Sequence, residues 1–493
     1  MAGIVSAIVA SILPSTACWA ATSDTAAEPA AGSETLADAV ALAYATNPTL
    51  QAQRAAQRAI DEEYVQAEAG LRPSVTVTAA LGYDHNQLGI FGPTTGTSSF
   101  GGITVTQPLY SGGRVARAID AAHADILAGR QVLRATEISV LQAVIVAYVD
   151  VRRAQAQQAI AAENLQVLSQ EMRDTQARYD VGEVTRTDLA QSHARRALAE
   201  AQLASARATL EIARAGYASV VGRPPGALAP EPPIAGLLPA GVDLAFDAAE
   251  QSSPRLLAAI YSEQAGAARL AQAKAQGRPQ VNLNGGLGYT GGQSSLVSTR
   301  PANPFVDYGQ EVSVSANATW PIFTGGLLSS QVREAAARDG AARIGIDAAR
   351  REVVLEISQA WSQLLGARAN VSAGQAQVDA DRTAYDGVRQ EQTIGLRTTL
   401  DVLNAQQELE AAQLALVGAQ RDEYVAAVAV LAATGVLDVS DFASDARVYD
   451  PAANLSHIRR AFGWTPLQGP LEAVDRVAAP GPSPARSPPS PRP

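Results

Sequence analysis

Gln107-Pro108-Leu109-Tyr110-Ser111-Gly112-Gly113 returns as Trp320-Pro321-Ile322-Phe323-Thr324-Gly325-Gly326, an offset of 213 from position 107 to position 320. The same offset carries Gly182 to Gly395, Asp188 to Asp401 and Gly222 to Gly435, so more than a hundred residues match with no insertion. Upstream, Arg72-Pro73 recurs as Arg278-Pro279 at an offset of 206, which makes the second copy seven residues longer between its two strands. A repeat of this length is an architectural unit, not the short period of a solenoid.

Each copy has the same order: short helices, two strands, then a long helical hairpin. From 113 to 179, and from 326 to 391, there is no proline; at 1.5 Å per residue such helices reach roughly 100 Å, beyond any globular core. Leu141, Val144, Tyr148 and Val151 align with Val354, Ile357, Trp361 and Leu364, both at the 3, 4, 3 spacing of a coiled-coil seam. The returning helix repeats the habit with Leu414, Val417, Tyr424, Val428 and Leu431. Asn47-Pro48 and Ser253-Pro254 read as N-cap and first-turn pairs, since proline lacks an N–H that would go unused there. The hairpins turn through 181–186 and 394–398. From the helices alone, an ordinary antiparallel coiled coil with no lumen is the more common object.

The strands alternate. Val312, Val314, Ala316, Ala318, Trp320 and Ile322 interleave with Ser313, Ser315, Asn317 and Thr319, and Val75, Val77, Ala79, Leu81 and Tyr83 interleave with Thr76, Thr78, Ala80 and Gly82. Val105, Gln107 and Leu109, and Val281, Leu283, Gly285, Leu287 and Tyr289, repeat this more weakly. A strand with one apolar and one wet face suits a membrane barrel, and aromatics near the strand ends (Tyr83, Phe91, Phe100, Tyr110, Tyr289, Phe305, Tyr308, Trp320, Phe323) suit its interfaces. A soluble sandwich would alternate too. Four strands cannot close a barrel, because about eight is the minimum, and open edges in lipid cost several kcal/mol per unpaired group. A membrane reading therefore requires identical subunits to pool their strands under cyclic symmetry.

The 493 residues carry a net charge of -10 and only 5% aromatics. An acidic chain does not suit a phosphate backbone, so no nucleic-acid partner is expected. Residues 1–20 resemble a secretory signal peptide, with a short apolar run at 4–13, Pro14, and Ala20 at the cleavage point, although no Lys or Arg precedes the run. Cys18 raises an acylated N-terminus as an alternative. Cleavage after Ala20 removes the single cysteine and with it any disulfide or thiolate site. No later run of eighteen apolar residues suggests a transmembrane helix. The expected organisation is a first repeat at 35–222, a Pro- and Gly-rich linker at 223–243, a second repeat at 244–435, a small packed segment at 436–470, and an unstructured Pro-rich tail at 471–493.

Enzyme motifs fail on context. Gly286-x-Gly288-x-x-Gly291 sits in a strand with no helix after it, and His85, His123, His193 and His457 are scattered. No catalytic, cofactor or metal site is expected, so any energy the function needs must come from a partner. One reading of these elements is a structural periplasmic coiled-coil protein whose strands lie in a soluble domain.

The doubled Pro-aliphatic-aromatic-x-Gly-Gly exits, the Arg178-Tyr179-x-x-Gly182 turn approach and the Gly395-x-x-Thr398-x-x-Asp401-Val402-Leu403 stretch resemble the TolC family of outer-membrane efflux and secretion proteins over about 35–465. The resemblance implies a mainly α fold with membrane β: a homotrimer with a twelve-stranded barrel in outer-membrane lipid on a long periplasmic α-helical tunnel. It further implies a periplasmic adaptor and an inner-membrane ABC exporter or proton-driven pump as partners. The stretch from Val448-Tyr449-Asp450-Pro451 to Phe462-Gly463-Trp464 looks like members paired with type I secretion machines. By the same resemblance Asp401 and Asn404 mark the entrance constriction, Asn404 standing where the family carries an aspartate. Arg397 and Asp188 match a latch between hairpins, Gly182, Thr185, Gly395 and Thr398 match adaptor contacts at the tips, and Gln392 replaces a family aromatic in the latch. The residues alone also allow Asp401 merely to cap its helix.

Overall fold

Two helices of 67 residues, α3 (Arg114–Asp180) and α7 (Leu327–Thr393), and two of 36, α4 (Arg186–Val221) and α8 (Thr399–Thr434), dominate the chain, every boundary displaced by the 213-residue offset. Four glycines set their ends: Gly113 and Gly326 open α3 and α7 at φ 85° and 89°, and Gly222 and Gly435 close α4 and α8 at φ 95° and 76°, backbone that a Cβ would strain. The structure is a computed structural model and describes residues 33–88, 92–294, 308–443, 447–459, 463, 465–477 and 479. The signal peptide with Cys18, the aromatics Phe91 and Phe305, Phe462 and Trp464 of the C-terminal stretch, and the tail beyond 479 lie outside the described residues.

Before each strand pair come α1 (Leu36–Thr46) and α2 (Pro48–Ala69), or α5 (Val242–Ser252) and α6 (Pro254–Ala275). Asn47 caps α2 as its sequence suggests, accepting from the Thr49 and Leu50 N–H groups, whereas Ser253 at the same place before α6 makes no side-chain cap. The preceding Ser252 instead donates to Thr434 O at 2.8 Å, tying α5 to the end of α8 and leaving α6 without a side-chain cap.

The main core lies where α3 meets α1, α4 and α8. Leu141, Val144, Tyr148 and Val151 are all buried there with Leu36, Val40, Tyr217, Val428 and Leu431. In the second copy the seam is Val353, Ile357, Ala360 and Leu364; Val354, expected in it, is exposed. Among the described residues α3 alone is long and apolar enough by composition to cross a bilayer, and a little under half of that stretch is buried, with Leu141, Val144 and Tyr148 in the core.

The strands β1 (Ser74–Leu88), β2 (Gly92–Tyr110), β3 (Gln280–Ser294) and β4 (Tyr308–Thr319) form one antiparallel sheet in chain order. β4 stops before Trp320 and Ile322, which the alternation had included. Register places Val77, Ile103, Leu287 and Val312 in one row and Val75, Val105, Gly285 and Val314 in the next; between them on the opposite face lies Thr76, Thr104, Gly286 and Ser313. Period 2 thus sorts the sheet into an apolar and a polar face. Neither face is covered: Val77, Leu81, Val312 and Val314 are all exposed by 70% or more.

The C-terminal segment departs from expectation. Composition predicts an unstructured tail from Leu471, yet α10 (Gln468–Val477) runs through it, preceded by α9 (Pro451–Ile458). Composition misleads here because both helices are held by side chains remote in sequence. Asn454 donates to Asp61 at 2.8 Å, Gln468 accepts from Arg72 at 3.0 Å, and Arg476 pairs with Asp120 at 2.9 Å. The buried Asp475 carboxylate accepts from Ser111 N, Gly113 N and Ala116 N at 2.8, 3.0 and 3.2 Å, capping α3 where it leaves the sheet.

Candidate functional site

The two hairpin tips are built alike. Gly182 and Gly395, at φ 81° and 80°, make the reversals, and Thr185 and Thr398 then open α4 and α8 as N-caps. Asp188 and Asp401 close the boxes: each carboxylate accepts from its threonine's N–H at 3.0 Å and hydroxyl at 2.8 Å. The Thr398 N–H, then its hydroxyl, then the Arg397 charge hold the Asp401 carboxyl below the usual aspartate range. Within one protomer Arg397 and Asp188 do not meet, because Arg397 bonds Glu391 of its own hairpin at 2.8 Å.

Other residues join the two hairpins. Arg195 on α4 donates to Asn404 Oδ1 at 3.1 Å and to Gln407 on α8. Gln392 donates to Glu171 Oε1 on α3 at 3.0 Å, a tie from one hairpin to the other. Deeper in, Gln406 donates to Asn164 at 3.1 Å, and Arg421 bonds Asp150 at 2.9 Å. The sequence reading missed Arg195, Asn164, Glu171 and Gln406. Leu403, Gln406 and Glu410 follow the 3, 4 spacing of an inward face, which was the available signal.

Glu410 is buried beside Asn164, and burial raises its carboxyl pKa above the ordinary 4.5, with Asn164 opposing. A raised value in the folded state means a contribution present below pH 4.5 and lost as pH rises through the folded-state pKa. Glu410→Gln is therefore expected to stabilise the protein near neutral pH by about 1 kcal/mol and to leave it unchanged in acid. Denaturant midpoints at two pH values check this; an equal shift at both would reject it.

A four-stranded sheet with an apolar and a polar face, both uncovered, joined to 67-residue helices that reach roughly 100 Å, fits an outer-membrane duct. The family model for outer membrane efflux proteins matches residues 39–223 and 245–436, one match per copy. The chain belongs to the outer membrane efflux protein family. Like other members, it is an outer-membrane channel protein with a periplasmic extension, and the fold is TolC-like. It is 35% identical over 441 residues to the outer membrane efflux protein BepC of Brucella suis, covering 90% of this chain and 93% of that one. It is 26% identical to the alkaline protease secretion protein AprF of Pseudomonas aeruginosa over 62% of this chain and 64% of that one. The solved outer-membrane channel OprN superposes with a TM-score of 0.71 at 24% identity, over 82% of this chain and 90% of that one. The family and these neighbours are channels, not enzymes.

Proposed function

We propose that three copies close a twelve-stranded barrel and a helical tunnel that exports polypeptides, coupled through an adaptor to an inner-membrane ABC exporter in a type I secretion system. The uncovered two-faced sheet carries the oligomeric part of this reading, since open edges in lipid leave backbone groups unpaired. Two things support polypeptide cargo: the likeness to AprF, named for protease secretion, and the resemblance of the 448–464 stretch to members paired with type I secretion machines. A second reading, an efflux pump's outer-membrane duct for small molecules or metals, is favoured by the name of BepC.

In this proposal the tips form the entrance. Three Asp401 carboxylates near the axis favour cations, with Asn404 beside them. Arg397 and Asp188 link neighbouring hairpins in the shut state, and Gly182, Thr185, Gly395 and Thr398 meet the adaptor. Arg397→Ser is expected to raise resting conductance in planar bilayers; unchanged closed conductance counts against the latch. A single cysteine at Thr185, crosslinked in living cells and identified by mass spectrometry, tests the partner. An ABC-linked adaptor supports secretion, and an adaptor of a proton-driven pump replaces it with efflux.

A further inference from the structure

The internal repeat measures a contact that the single chain leaves half made. Contacts inside one copy recur in the other when residues up to β1 or β3 are shifted by 206 and later residues by 213. Gln107 Nε2 donates to Leu71 O at 2.9 Å, and Trp320 Nε1 donates to Gly277 O at 3.2 Å. The pair Ser74↔Thr106 recurs as Gln280↔Thr319. Ile60 lies against Gly129 as Ala342 lies against Gly266. The two offsets therefore relate geometry, not merely sequence.

Contacts running from the first copy to the second have no counterpart in the chain. β2 pairs with β3 through Gln107↔Leu283 to Tyr110↔Val281. Gly112 sits against Arg278, Ala275 and Pro279, and Arg269 on α6 pairs with Asp125 on α3 at 2.5 Å. Shifted by the same offsets, these contacts become Trp320 opposite Val77, Phe323 opposite Val75, Gly325 against Arg72, Ala69 and Pro73, and Arg338 against Glu63. None is made within the protomer. β4 ends at Thr319, where β2 continues for the four residues that β3 holds in place. Trp320, Ile322 and Phe323 are 63%, 86% and 90% exposed, and a Cβ on Gly325 would meet nothing within 4 Å. Glu63 is exposed, and the Arg338 side chain is 79% exposed with only Glu334 of its own helix for company. The ion pair survives the shift with its signs exchanged: Arg269 and Asp125 become Glu63 and Arg338. Two transposed charges that still oppose each other are the complementarity expected of two different edges meeting head to tail around a rotation axis.

We infer that the α2–β1 edge of one copy docks on the β4–α7 edge of the next, with Arg338 paired to Glu63 of the partner subunit. Trp320 and Phe323 extend β4 there, opposite Val77 and Val75 of the partner subunit. The inference rests on the oligomeric reading above and adds its register. An edge that recruits its missing strand from an identical chain satisfies the backbone groups that lipid cannot.

Glu63→Cys/Arg338→Cys, in a chain with no cysteine after Ala20, is treated with a short bifunctional thiol reagent and run on a denaturing gel. Covalent dimers and trimers are expected, as from Val77→Cys/Trp320→Cys. At least tenfold less is expected from Gln51→Cys/Arg338→Cys, about 18 Å away along α2. Asp125→Cys/Arg269→Cys calibrates reach by reacting within one chain. In parallel, Arg338→Glu should lower the temperature at which trimers dissociate, and Glu63→Arg/Arg338→Glu should restore it. Trimers on a native gel without the 63–338 crosslink, when 125–269 does react, overturn this register and leave the trimer standing. Monomers on the native gel overturn both.

Discussion

Asp475→Ala is expected to destabilise the folded protein by about 3 kcal/mol, because one buried carboxylate satisfies three backbone N–H groups and the Ser111 hydroxyl where the sheet passes into α3. Removing it strands those donors away from water and deletes the negative charge at the positive end of a 67-residue helix. Asp475→Asn keeps an acceptor and should lose about half as much. The temperature at which the detergent-purified protein loses its helical signal is the measurement. A change below about 0.5 kcal/mol for the alanine variant would show that Ser111 and the solvent can cap α3 unaided. The second copy supplies a comparison within the molecule: α7 begins at the matching Gly326 with no acid above it, and Leu328 N reaches Thr324 Oγ1 only at 3.4 Å.

Glu34→Ala should cost a similar amount, about 3 kcal/mol, since breaking a buried charged cluster leaves its partners unpaired. The Glu34 carboxylate accepts from the Tyr217 hydroxyl at 2.7 Å, Arg223 Nη2 at 3.0 Å and Gly226 N at 3.0 Å, while its carbonyl accepts from the Tyr148 hydroxyl at 3.1 Å. This knot pins the entry of the chain to the linker after α4. Burial alone would raise the Glu34 pKa, but the Tyr217 hydroxyl, the Gly226 N–H and Arg223 outweigh it and hold the carboxyl below its ordinary 4.5. A depressed pKa in the folded state means that the contribution is complete above pH 4.5 and is lost as pH falls through the folded-state value. The stability gap between the native protein and Glu34→Gln should thus be widest near neutral pH and shrink in acid. A gap that stays constant from pH 7 to the acid limit of folding would show that Glu34 is not the titrating member. Glu410 titrates with the opposite sign, so the two glutamates can be separated by pH alone.

Much of this was legible along the chain. The proline-free stretches, the glycines at both ends of each hairpin and the Thr-x-x-Asp boxes are local signals, and the helices begin and end where those signals lie. The alternation of Val75 to Tyr83 named the apolar face, since period 2 admits no other sorting. At the tips, sequence placed Gly182, Thr185, Gly395 and Thr398 at the reversals but could not say what Asp188, Arg397 and Asn404 touch. Asn404 meets Arg195, 209 positions away, and Arg397 meets a neighbour six positions back. Long polar side chains on a helix surface reach several partners, and which one they take depends on how two hairpins pack.

By itself the sequence determined the duplicated plan, the helix lengths and the two-faced strands, because turn chemistry, capping and side-chain period act within a few residues. Only the tertiary structure decided that α10 forms in a Pro-rich tail, that β4 ends before Trp320 while β2 runs on to Tyr110, and which residues tie hairpin to hairpin. Each of these depends on a partner far away in the chain or missing from it: Asp475 lies 364 positions from Ser111, and β4 lacks the neighbour that β3 provides for β2. A buried hydrogen bond or a strand edge is settled by what covers it, and no local pattern carries that information.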